Sequence, residues 1–120
     1  MNHADAGAFA ITLFHAVTNA HIMHLQTRSY AQHKALQKFY EQIGDYADTF
    51  VESYQGKYGI IDNYPDEFDL MLDPLPYLEN LRGFVQDNRE HLPKDTELQN
   101  TVDDILNLID STVYKLKFLS

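Results

Sequence analysis

His21 and His24 stand three apart, a spacing that puts both imidazoles on one face of a helix. His33 follows after a short polar break, so a helical hairpin would bring all three rings together at one end. Asp48 and Glu52 are four apart, the spacing at which two carboxylates share a face and can grip one hard or borderline cation. The chain has no cysteine, so any metal chemistry must run on imidazole and carboxylate. Each set also has a plainer reading: a histidine on an apolar stripe packs into the core, and two acids four apart are solvated. The fifteen residues of helix between His33 and Asp48 amount to about 22 Å at ~1.5 Å per residue, so one chain offers two half-sites. An isologous dimer with antiparallel helices would place the histidine end of one copy against the Asp48 and Glu52 end of the other, twice.

The elements that must position these residues follow from periodicity. Phe9, Leu13, Ala16, Val17, Ala20 and Met23 predict a helix from Asp5 to about Gln26. Ser29 is the expected N-cap of a second helix reaching about Tyr54, with His33, Leu36, Tyr40, Ile43, Ala47, Phe50 and Tyr54 as its buried seam. The intervening break is short, so the two form an antiparallel hairpin. Residues 60–76 hold three prolines and several acids and read as a long crossover, with room for a short helix over 66–72. Asp73 and Pro74 open a third helix to about His91, as N-cap and first-turn proline, and Pro93 ends it. Thr96 and Gln99 form a candidate capping box, and Leu98, Val102, Ile105, Ile109, Val113 and Leu116 are the core stripe of a fourth helix. The expected fold is all-α, a single ferritin-like four-helix domain over 1–120: hairpin, long crossover, hairpin.

Composition narrows the function. Nine Lys and Arg against eighteen Asp and Glu leave a net charge of −9, a field that repels phosphate backbones and argues against nucleic acid. No run of about 18 uninterrupted apolar residues is present, and the first ten residues carry Asp5 with no Lys or Arg, so neither a membrane partner nor a signal peptide is expected. The absence of cysteine fits a reducing, cytoplasmic setting. Glycine-rich phosphate loops and the GxSxG hydrolase motif are absent.

The stretch from Asn19 to Gly56, NAHIMHLQTRSYAQHKALQKFYEQIGDYADTFVESYQG, resembles the Dps-like miniferritins. Their pattern here is an Ala-His, a second His twelve residues later, and Asp-x-x-x-Glu fifteen after that. The resemblance covers about a third of the chain. It implies a ferritin-like bundle with a short helix in the crossover, a homo-oligomer reaching a dodecameric shell, and Fe(II) oxidation by peroxide or dioxygen at dimer interfaces, with iron storage. It also implies that His21, His33, Asp48 and Glu52 are iron ligands. Two departures stand out: Gln37 occupies the position of a usual carboxylate, and Ile22 that of a usual Trp. His24 is an additional imidazole that could complete the set, and would shift preference toward zinc.

The competing reading is a ferritin-like scaffold without redox chemistry, a protein-binding module retaining at most a structural zinc. A third, a metal-dependent transferase of the DinB type with three histidines inside one bundle, is disfavoured because the last two helices supply no placed histidine. Tyr40 and Tyr46 serve either as electron donors near the interface or as packing. Asp87 and His91 lie four apart, where the helix C-terminus alone explains the histidine. Asp103, Asp104 and Asp110 read as a solvated face. The acids of the crossover either line an ion entry or belong to an exposed loop. Gly44 in mid-helix suggests close approach of another helix near the two-fold axis. Tyr54, Tyr58, Tyr64 and Phe68 are expected at subunit contacts. His3 and His15 have no partner that the sequence names.

Overall fold

A computed structural model describes residues 2–119. Its helices are α1 (Ala4–Gln26), α2 (Tyr30–Tyr58), α3 (Pro74–Asn88) and α4 (Thr96–Phe118), with a 3-10 turn at Arg89–His91. Ser29 caps α2 as its position demands, its hydroxyl accepting from the Gln32 amide at 3.2 Å. Asp73 precedes α3, and Pro74 sets the first helical φ. The expected box at the start of α4 does not form. Asp95 is the N-cap, and the Gln99 amide donates instead to the carbonyls of Arg89 and Pro93, fixing the preceding turn.

Neighbouring helices run antiparallel around a ring in the order α1, α2, α4, α3. Lys57 near the end of α2 meets Asp95 at the start of α4, Lys38 near the beginning of α2 meets Lys115 near the end of α4, and Phe84 late in α3 stacks toward Phe9 early in α1. The ring closes on an apolar core. Phe9, Phe39 and Phe50 are wholly buried, and Phe9 lies 4.9 Å from Phe50 and 6.3 Å from Phe84 between ring centres. Each such side chain contributes roughly 1.5–3 kcal/mol of transfer energy. The chain is therefore a four-helix bundle with one long connection.

That connection, residues 59–73, climbs the length of α1 without helical structure; the short helix expected over 66–72 is absent. Asn63 passes over Gly7, Phe68 sets its ring edge against His15 at 4.5 Å, and Asn19 takes the backbone at both ends of its amide. Its Oδ1 accepts from the Met71 amide at 3.3 Å and its Nδ2 donates to the Asp69 carbonyl at 3.4 Å. Asn19 is buried on α1, and burial pushes the pKa of the neighbouring Tyr77 up, with Asn19 opposing the shift. Asp62, Asp66, Glu67, Asp69 and Asp73 all face solvent.

A Cβ at Gly44 would meet Val17 of the same chain at an ordinary 3.5 Å, so no crowding within the chain demands a glycine there. Of the aromatic residues expected at subunit contacts, Tyr54 is buried, Tyr58 half-buried, and Tyr64 and Phe68 exposed. One helix, α1, is long and apolar enough to cross a bilayer by length and composition, and half of its most apolar window is packed inside the bundle.

The far end of the bundle is fastened by Asp95, which accepts from both Lys57 and Tyr58. The Lys57 ammonium and then the Tyr58 hydroxyl hold its carboxyl below the usual aspartate range, while both donors are pushed up. A depressed folded-state acid contributes stability above its unfolded pKa and loses it as pH falls through the folded value; raised donors lose theirs only in alkali. Asp95→Asn is therefore expected to lower the melting temperature at pH 7, with a deficit that narrows as pH falls below about 3.9. Melts by circular dichroism across that range check it, and a deficit independent of pH would refute it.

Candidate functional site

The last turn of α1 leaves carbonyls without helical partners, and α2 begins only four residues later. The histidines use this geometry. His33 Nδ1 donates to the His24 carbonyl at 2.8 Å, and His24 Nδ1 donates to the His33 carbonyl at 2.6 Å. A carbonyl can only accept, so both rings carry their proton on Nδ1 and leave Nε2 with a lone pair. The two imidazoles stack at 3.6 Å and 18°. His21 stacks on Tyr40 at 4.4 Å, and Tyr40 presents its edge to His24 at 5.4 Å. The result is a reciprocal latch that closes the hairpin.

The structure thus brings His21, His24 and His33 to one place, with the His21 and His24 ring centres 6.1 Å apart. Asp48 and Glu52 stay on the exposed face of α2, well down the helix, and make no hydrogen bond or ion pair among the described residues. Gln37 spends its amide on Glu41 at 3.0 Å. Among the described residues of one chain, no three His, Asp or Glu side chains converge closely enough to hold a metal ion. The buried polar residues among those described, Asn19, His24, Thr101 and Thr112, include no carboxylate to serve as a metal ligand. The donor set of one chain does not fit iron.

The other candidates resolve into structural roles. Tyr40 belongs to the latch and Tyr46 packs against the core. Asp103 and Asp110 pair with Arg89 and Arg82 at 2.8 and 2.6 Å. His91 is exposed, 3.9 Å from Glu90. His3 finds the Tyr54 hydroxyl at 2.9 Å.

Residues that the spacing argument passed over include Asn19, on the buried face between Ala16 and Met23, where a lone amide signals a backbone to be held. Lys34, Lys38 and Lys115 are the others. Lys34 and Lys38 share a face at i, i+4, but nothing in the sequence connects them to Lys115.

A helical bundle whose hairpin is latched by stacked histidines is the class that the geometry defines. The chain belongs to a family of unknown function, DUF5856, whose model matches residues 24–116, from the latch almost to the end of α4. It is similar to an uncharacterized 14.6 kDa protein in the mobD-ri intergenic region of Enterobacteria phage T4, 30% identical over 98 residues that cover 80% of this chain and 75% of that protein. No solved structure shows significant similarity to it.

Proposed function

We propose that the protein is a non-catalytic scaffold of ferritin-like topology, working through contact with another protein surface, a second copy in the first instance. The observation that carries this reading is the use of the imidazoles: the Nδ1 edges of His24 and His33 and the stacked ring faces tie α1 to α2, a structural role that needs no metal. Exposed apolar side chains support it. Leu25, Tyr30 and Phe118 are 69%, 75% and 71% exposed at the hairpin end of the bundle, apolar side chains that a partner surface would cover.

A second reading has its own support. His21 and His33, with His24 in reserve, and the unpaired Asp48 and Glu52 would be the two half-sites of a miniferritin-like ferroxidase, complete only across a two-fold axis, with iron as substrate or zinc in its place. Solution mass, elemental analysis and Fe(II) oxidation followed by absorbance separate the two. The scaffold reading expects a dimer or larger with substoichiometric metal, and oxidation no faster than in buffer and unchanged in His33→Ala and Glu52→Ala. Stoichiometric iron with oxidation lost in both variants would establish the second reading and sink the first.

A further inference from the structure

Where α2 begins and α4 ends, the two helices form an open groove of about 540 Å³ lined by Lys34, Lys38 and Lys115 beside Ala31, Ala35 and Leu119. In a chain with nine cations and eighteen acids, four of the cations find a carboxylate among the described residues. Lys57, Arg82, Arg89 and Lys117 are paired with acids, and Lys94 donates to the Glu90 carbonyl. Three of the remaining four gather here with no carboxylate partner among the described residues. Among the described residues Glu41 is the only acid on the lining, and it accepts from Gln37 rather than from a lysine. Lys115 is half-buried against Lys38, and desolvation, then that like charge, lowers its pKa. Crowded ammonium groups beside apolar surface destabilise a fold unless something negative offsets them.

We infer that this pocket binds a soluble phosphate monoester with an apolar body, its phosphate held among Lys34, Lys38 and Lys115 and its body resting on Ala31, Ala35 and Leu119. Three ammonium groups and one carboxylate leave a local charge of about +2, which a monoester dianion balances above its second pKa of about 6. The volume falls in the range of small-ligand sites, about 300–1,000 Å³. The surrounding −9 field disfavours long polyanions and leaves a compact anion as the complementary ligand. The inference depends on neither metal binding nor self-association.

Phenyl phosphate is the probe, titrated calorimetrically at pH 7.5 in constant chloride, with inorganic phosphate and phenol as the separated head and body. Phenyl phosphate is expected to bind about ten-fold more tightly than inorganic phosphate, and Lys38→Gln with Lys115→Gln to weaken it by at least about ten-fold. Without ligand the double variant is expected to melt no lower than the wild type, since like-charge crowding is relieved, which separates lost binding from lost folding. Titration should also move the methyl resonances of Ala31, Ala35 and Leu119. Equal binding of phenyl phosphate and inorganic phosphate, unchanged binding in the double variant, or no binding at all would overturn the assignment.

Discussion

Gly7→Ala should destabilise the protein by about 1–3 kcal/mol, the usual cost of forcing a group into a packed site. A Cβ at this position would stand 2.2 Å from the Asn63 carbonyl oxygen, and the obstacle is backbone, which cannot rotate aside. Either the connection lifts away from α1, or α1 shifts and disturbs Phe9 two residues on. The sign is opposite for glycines in open space. Gly56 and Gly83 have nothing within 4 Å of a built Cβ, so alanine at either should stabilise its helix by about 0.5–1 kcal/mol. Urea denaturation of the three variants checks the contrast. A neutral Gly7→Ala would mean that the connection does not rest on α1 at that point.

Asn19→Asp is the second large effect, expected to exceed that of Asn19→Ala. The alanine variant removes two hydrogen bonds at once, to Met71 and Asp69, at about 1–3 kcal/mol because the exposed backbone of residues 69 and 71 can turn to water. The aspartate keeps an acceptor for Met71 but cannot donate to the Asp69 carbonyl, and it strands a carboxylate at a site 1% exposed. Limited proteolysis is the direct readout. Cleavage within residues 59–73 should accelerate in both variants, more in Asn19→Asp, while the helices stay protected. Cutting at the wild-type rate would show that Asn19 does not hold the connection.

The four helices were legible because their apolar residues recur at helical period and their starts carry chemistry that serves little else, Ser29 before α2 and Asp73 with Pro74 before α3. The connection was not. Residues 66–72 have a composition that tolerates a helical turn, but their backbone is captured by Asn19, fifty residues away, and tertiary capture overrides local preference. The meeting of the histidines could be read from spacing and hairpin geometry. How their ring edges are used could not, because i, i+3 spacing places an imidazole without orienting its Nδ1. Gly44 drew attention as a mid-helix glycine, whereas the glycine with a steric reason is Gly7, whose partner lies in the connection. The lysine pocket was invisible for the same reason: Lys115 reaches Lys38 only once α4 has folded back along α2.

Between residues 60 and 72 no backbone–backbone hydrogen bond is formed among the described residues; the side chains of Asn19 and Gln55 bond that backbone, and Ile61 anchors it in the core. The first hairpin closes through its own histidines, and the second docks on it by apolar burial and the Asp95 clasp. Nothing in that arrangement requires both hairpins to come from one molecule. If the strap were released, the α3–α4 hairpin of one molecule could dock on the first hairpin of another, remaking every contact with no new surface. The small polar grip of Asn19 would then decide whether the chain folds onto itself or exchanges arms with a twin.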